Sequence, residues 1–204
     1  MLFRSLDPRA ALAALLERLA ERGVRVRFGV EGPERDAGRA LIDCTGLAAR
    51  AHLADLRGVK GEMLLLRLPE LTLRRPVRVL HPRAPLYIVP RGDGLFMVGA
   101  TMIESDEATR VSARSMLELL SAAYALHPAF GEAQIVEIGT GVRAAFADNL
   151  PRLRQVGGAL HVNGLYRHGF LLAPALARRA ADLLLEGRRD REVMDEDPGE
   201  RRLA

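Results

Sequence analysis

The chain has 204 residues, of which 49% are hydrophobic and 27% charged, and 30 Lys and Arg set against 26 Asp and Glu give a net charge of +4. That is the composition of one large or two small globular domains, and it excludes a chain that is disordered throughout. Cys44 is the only cysteine, which excludes a disulfide scaffold and a zinc site built on cysteine pairs. Lys60 is the only lysine, the arginines are scattered, and aromatic residues make up 4% with no Trp. A nucleic-acid partner would call for a basic stripe or an aromatic platform, and neither is present. No stretch approaches the ~20 apolar residues of a membrane helix. The start, Met1 to Pro8, lacks an apolar signal core. A cytoplasmic location with a reduced thiol is therefore expected, with no membrane and no nucleic acid as partner.

Asp7 and Pro8 suit the cap and first position of a helix, Leu12, Leu15, Leu16 and Leu19 recur at helical spacing, and Gly23 suits its end. Val24, Val26 and Phe28 alternate with arginines and read as a strand over 24–29. A turn is expected over 31–38, a short strand from Ala40 into Gly46, a short helix around 47–55 and a long strand from Val59 to Leu68. In the middle third, Val77, Val79 and Leu86 to Arg91 alternate. Gly92-Asp93-Gly94 then offers the positive φ angles of a tight hairpin, with Leu95 to Ala100 returning as the partner strand. A helix from Ser112 to Leu126 follows, then a strand from Ile135 to Phe146 broken at Gly139 and Gly141, a short strand from Ala159 to Asn163, and a helix from about Leu171 to Glu186. From Arg188 the chain is charged and is expected to fray. The pattern is α/β at both ends with a sheet-rich insert between.

No P-loop, HExxH, GxSxG or GxGxxG motif is present. His52, His81, His127, His161 and His168 are dispersed, none at metal-ligand spacing, so no metal is expected and each reads as a surface or half-buried histidine. The segment 160–177, LHVNGLYRHGFLLAPALA, carries the strongest signal: a strand, a glycine, a polar cluster, a second glycine and an apolar helix. Amide groups at a helix start beside glycines can donate to an anion or an electron-rich ring. On spacing alone, a plain strand–helix turn with a solvated arginine is the more frequent arrangement. Arg143 lies in a strand and needs a partner or a wet cavity there. Tyr87 and Met102 on a hairpin are, unaided, more often core than pocket.

The same segment resembles the C-terminal signature of the D-amino-acid-oxidase family of flavoproteins, most of all the glycine oxidases of thiamine biosynthesis. Asp7-Pro8-Arg9, Asp43 to Arg50, Leu56 to Met63, Tyr87 to Arg91, Gly99 to Met102, Gly141 to Ala144 and Asp148 to Pro151 resemble further stretches of that family in the same order, over roughly residues 6–187. The resemblance implies an α/β fold with α+β elements: a partial FAD-binding, Rossmann-like domain carrying an inserted, mostly antiparallel-sheet substrate domain. The corresponding divisions are 1–56 and 136–187 for the FAD-binding part, 57–135 for the substrate part and 188–204 for a charged tail. It implies that Arg143 grips the substrate carboxylate, that Arg167 lines the same pocket, that Tyr87 closes it and that Met102 forms an apolar wall. Gly46, Gly164, Tyr166, Arg167, His168, Gly169, Phe170 and Leu171 would pack around FAD, and Val30 would contact its adenine side.

The activity so implied is FAD-dependent oxidation of glycine or a similar small amine or D-amino acid by oxygen. The products are an imine or oxo acid and hydrogen peroxide, within thiamine biosynthesis. The match begins near the family's middle and lacks its glycine-rich opening, so the chain is expected to be truncated and, alone, weakly active or inactive. The partners expected are the amino-acid substrate and oxygen, with a homo-oligomer or a separate FAD-binding chain as protein partner. The alternatives are a half-enzyme that needs a separate dinucleotide-binding chain, and a non-catalytic remnant serving as an interaction module.

Overall fold

Asp7 starts the first helix as its chemistry suggests: its Oδ1 accepts from the amides of Arg9 at 2.9 Å and Ala10 at 3.0 Å. Helix α1, Pro8–Glu21, follows, and in the computed structural model, which describes residues 6–30, 39–80 and 86–194, none of its residues is buried. Its leucine stripe faces outward, with Leu12 54% and Leu15 57% exposed. The strand expected over 24–29 is absent. A strand needs a ladder partner for its amides and carbonyls, and no described residue pairs with Val24, Val26 or Phe28; β1, Leu41–Asp43, pairs only with β9, Ala159–Asn163. The turn expected over 31–38, His81 and the tail beyond residue 194 lie outside the described residues.

The chain divides into two compact units, one of residues 1–15 and 60–142 and one of 16–59 and 143–204. The first is built on an antiparallel sheet. Strands β3 (Val77–Val79), β4 (Leu86–Gly92), β5 (Leu95–Gly99), β2 (Arg57–Arg67) and β6 (Ile103–Glu104) lie in that order, and β7 (Gln134–Ala145) also pairs with β2. Gly92 faces Leu95 across the β4–β5 hairpin, and Asp93 at φ 49° with Gly94 at φ 68° makes the two-residue turn. β7 runs unbroken through Gly139, where the glycine makes room for a neighbour: a Cβ there would lie 2.7 Å from Met63 Cε. Helix α2, Ala113–Leu126, is capped by Ser112 Oγ, which accepts from the Ser115 amide at 3.1 Å. It lays Leu119 and Ala123 on a core with Leu64, Leu66, Ile88, Phe96, Val98 and Phe130.

The one lysine is buried in this unit. Lys60 Nζ lies 2.8 Å from Glu107 Oε2 and 3.3 Å from Glu62 Oε1, and donates to the Arg110 carbonyl. Glu62, fully buried, accepts from the Ser112 amide at 3.1 Å. Burial pushes the Glu62 carboxyl up, but hydrogen bonds from Ser115 and Ser112 and the Lys60 ammonium outweigh it, leaving it below the usual carboxylate range. The hydrogen bond to Glu107 raises Lys60, and the same bond lowers Glu107.

The second unit holds a three-stranded sheet in the order β1, β9, β8, with β8 at Arg152–Val156. β1 and β9 are parallel, with Leu41 opposite Ala159 and Asp43 opposite His161, and β8 and β9 are antiparallel. Sequence reasoning missed β8, although Gly157 and Gly158, both at positive φ, form a two-residue hairpin turn behind it. A short 3-10 helix, Gly46–Ala51, stands where a short helix over 47–55 is expected. Helix α3, Gly169–Glu186, starts two residues earlier than its periodicity suggests and lays Leu176, Ala180 and Leu183 on Leu153 and Leu160. The tail does not fray at Arg188. The Leu153 amide donates to the Val193 carbonyl at 2.7 Å, and Val193 and Met194 pack on this same core. Among the described residues no helix is long and apolar enough to cross a membrane.

Candidate functional site

β1 and β9 are parallel neighbours, so their carboxyl ends share one edge of the sheet, the edge where α/β folds hold ligands. Each strand leaves that edge through a left-handed glycine, Gly46 at φ 64° and Gly164 at φ 79°. Before Gly46, Asp43 Oδ1 accepts from the Thr45 amide at 2.8 Å and the Thr45 hydroxyl at 2.7 Å, which bends the chain off the strand. Burial pushes the Asp43 carboxyl up, but the two Thr45 hydrogen bonds and the neighbouring His161 and His52 outweigh it, so it stays below its ordinary value. His161, read from sequence as a surface or half-buried residue, is 2% exposed. Its Nδ1 stands 3.4 Å from Asp43 Oδ2, and its ring centroid is 5.4 Å from that of His52.

After Gly164, Tyr166 also takes a positive φ of 50°, and its amide donates to the Ala144 carbonyl at 3.1 Å, tying the turn to the end of β7. His168 caps α3 without a side-chain hydrogen bond. The amides of an α-helix's first turn have no intrahelical acceptor, so an 18-residue helix presents donors and the positive end of its dipole here. Arg167, His168, Phe170 and Leu171 are exposed. Gly164, Tyr166, Arg167, His168, Gly169, Phe170 and Leu171 thus form one continuous turn and helix start, on the same sheet edge as Gly46.

The same unit contains Arg143, half-buried, whose Nη1 donates to the Val59 carbonyl at 3.5 Å. The loop after β7 is held by Asp148, whose Oδ1 accepts from the Leu150 amide at 3.0 Å and whose carboxylate takes two bonds from Arg152, at 3.1 and 2.7 Å. The Leu150 hydrogen bond first, then Arg152, lowers the Asp148 carboxyl. Tyr87 and Met102 belong to the other unit. Tyr87 lies on β4 opposite Gly99, and Met102 follows β5, 44% exposed. Val30 is exposed in a segment without secondary structure.

Sequence reasoning passed over Asn163. It is 2% exposed, its Nδ2 donates to the Gly46 carbonyl at 2.8 Å, and its Oδ1 accepts from the Gly164 amide at 2.8 Å. An asparagine directly before a glycine at a strand end was the signal available.

The comparisons with known proteins converge. A Rhizobium etli protein bearing the name thiamine biosynthesis oxidoreductase ThiO is 58% identical over 180 residues, which is 88% of this chain and 55% of that protein. The glycine oxidase of Geobacillus kaustophilus is 33% identical over 157 residues, 72% of this chain and 41% of its own. The crystal structure of that enzyme superposes with a TM-score of 0.63 at 30% identity, over 74% of this chain and 42% of that one. The iminodiacetate oxidase of Chelativorans sp. BNC1 superposes with a TM-score of 0.74 at 25% identity, over 91% of this chain and 56% of that one. The chain spans about half the length of the relatives it matches. Residues 3–183 match the family described as FAD dependent oxidoreductase, and with the mixed α/β fold and its glycine-edged parallel strands they place the chain in that family.

Proposed function

We propose that this chain carries the flavin-ring side of an FAD-dependent oxidase acting on glycine or a similar small amine or D-amino acid, in thiamine biosynthesis. The observation that carries this reading is the pairing of Gly46 and Gly164 at the carboxyl ends of parallel strands, with the start of α3 directly behind. The glycines also suit a flat cofactor. Packing against Phe146 requires Gly164 to lack a Cβ, whereas a Cβ at Gly169 would meet nothing within 4 Å, and one at Gly46 would meet only Ala144, at 4.0 Å. Among the described residues nothing stands within 4 Å of a Cβ at Gly169, so the helix start is open to the approach of an outside group.

FAD, which Gly46, Gly164 and the start of α3 would hold, would supply the two-electron oxidation of the substrate Cα–H, with oxygen as final electron acceptor and hydrogen peroxide as its product. The chain's own part is binding and orientation. The Arg143 guanidinium offers two parallel N–H groups to a carboxylate, a geometry a lysine lacks. The first-turn amides of α3 and the dipole behind them favour negative charge beside the helix start. Phe170 and Leu171 supply apolar surface that sheds water beside it. Tyr87 and Met102 keep the substrate-side roles that the resemblance gives them, and Arg167 lines the carboxylate site. No side-chain base is required if the amine arrives unprotonated, which suits the absence of an acid–base pair from this set of residues.

An FAD titration of the purified chain, followed by flavin absorbance and fluorescence, tests the reading. Weak but saturable binding with a perturbed spectrum is the expected result for the chain alone, with little glycine-dependent peroxide formation and none in Arg143→Ala. Oxidation of glycine by the chain alone at an ordinary enzymatic rate would overturn the reading that it carries only the flavin-ring side.

A second reading is favoured by α1, which buries nothing and exposes Leu12, Leu15, Leu16 and Leu19. Here a separate dinucleotide-holding chain covers that stripe and completes the enzyme. Restoration of FAD binding by adding such a segment in trans would distinguish this reading from the first.

A further inference from the structure

Two turns on the sheet edge, at Gly46 and Gly164, come from strands far apart in sequence, and they must keep a fixed spacing if one flat group is to lie against both. The β1–β9 ladder sets that spacing only as far as Asp43 and His161. Beyond that pair the link is a side chain. Asn163 donates through Nδ2 to the Gly46 carbonyl at 2.8 Å and accepts through Oδ1 from the Gly164 amide at 2.8 Å. It is 2% exposed, so water does not compete for either bond. An amide is the side chain that can donate and accept at its two ends at once. Asp, of the same size, keeps the acceptor and loses the donor. Thr and Ser have one oxygen and cannot reach both turns with separate atoms.

We propose that Asn163 is a positioning residue that clamps the Gly46 turn to the Gly164 turn and so holds both at the spacing the flavin reads. The functional consequence rests on the flavin reading above, whereas the clamp itself does not.

The experiment uses the whole chain, with Asn163→Asp as the isosteric variant and Asn163→Ala as the second. Amide hydrogen exchange is followed in peptides covering 44–51 and 164–168, and FAD is titrated in parallel. In Asn163→Asp, exchange over 44–51 is expected to rise about tenfold or more, from the loss of one buried hydrogen bond and from the carboxylate that then faces the Gly46 carbonyl, while 164–168 stays protected. In Asn163→Ala both segments are expected to loosen. FAD affinity is expected to fall about tenfold in both variants, by the same reckoning, with the visible flavin band shifted toward that of free FAD. Unchanged exchange over 44–51 in Asn163→Asp overturns the clamp. Faster exchange with parental FAD affinity and spectrum overturns the positioning role, because a merely structural residue would leave the flavin signature alone. If the parent takes up no FAD, the flavin reading fails for this chain. Exchange then still decides: loosening of the expected segments upholds the clamp, and its absence overturns it.

Discussion

Replacing Gly164 with alanine sets two separable costs against each other. The first is conformational: at φ 79° an L-residue with a Cβ is strained. The second is steric, since the new Cβ would stand 2.3 Å from Phe146 Cδ2, 2.5 Å from Cε2 and 3.3 Å from the Leu150 carbonyl oxygen. The Phe146 ring cannot swing away cheaply. It is 1% exposed, packs with Ala49, Leu53 and Leu56, and is covered by the guanidiniums of Arg152 and Arg154 at 4.6 and 4.5 Å from its centroid. Strain of about 1–2 kcal/mol and overpacking of about 1–3 kcal/mol sum to roughly 2–5 kcal/mol. Gly46→Ala supplies the control. Its φ of 64° brings the same strain, but the nearest atom is the Ala144 Cβ at 4.0 Å, so about 1–2 kcal/mol is expected. At about 2–4 °C per kcal/mol for a chain of this size, thermal unfolding followed by circular dichroism separates the two variants. Phe146→Leu removes the offending ring edge, so the double variant Gly164→Ala with Phe146→Leu is expected to be more stable than the sum of the singles by about 1 kcal/mol. Equal losses at Gly46 and Gly164, or strict additivity in the double variant, would refute the steric argument.

Lys60→Met leaves Glu62 buried without its cation, so the variant is expected to melt well below the parent at pH 7. The folded-state values of Glu62 and Glu107 are lowered, so their stabilisation is present above the ordinary carboxylate range and is lost as pH falls through the folded values. Without Lys60, protonation relieves the orphaned charge at higher pH, so the gap between parent and variant should narrow toward pH 4. A gap that stays constant would assign the lysine's effect to packing. In the other direction, the raised Lys60 value means that its contribution is present below the ordinary lysine value and is lost as pH climbs through the folded one. Gly94→Ala is expected to destabilise the first unit by roughly 2–5 kcal/mol, from strain at positive φ plus overpacking, because its Cβ would lie 2.7 Å from the Pro69 Cα. Gly23→Ala, with nothing within 4 Å, should show the strain alone in the same thermal unfolding experiment. In a preparation that turns over glycine, Arg143→Lys is expected to raise KM about tenfold or more, through loss of one of two parallel charge-assisted bonds, and to leave the flavin spectrum unchanged.

The elements read correctly from sequence are those whose signal is local. Asp7 caps α1, Asp93 and Gly94 turn the β4–β5 hairpin, and Ser112 caps α2, each through atoms within four residues of one another. The failures have a common physical form: the deciding partner is distant in sequence. Val24, Val26 and Phe28 alternate as a strand should, yet pairing is a property of two segments, and no described residue pairs with them. Conversely, Arg152-Leu153-Arg154 looks too polar for a sheet until Asp148 and Asp55 are seen to neutralise its guanidiniums and Phe146 to lie beneath them.

The same distinction governs the candidate site. The Gly164 to Gly169 turn is contiguous, so its glycines and helix start stand out in the sequence. That Gly46 shares its edge follows only from the parallel pairing of residues more than a hundred positions apart. Asn163 is the extreme case, since its partners are its own neighbour and a carbonyl 117 positions away. Nothing in the pattern of a five-residue strand distinguishes it from a strand-ending turn residue. A substitution that only breaks the local bond and one that breaks the long-range bond therefore carry different information. Asn163→Asp removes the distant bond and sets a buried carboxylate beside the Gly46 carbonyl, whereas Asn163→Ala removes both bonds without adding charge, so the loosening of the Gly46 turn common to the two variants measures how far the site depends on a contact that no local reading can supply.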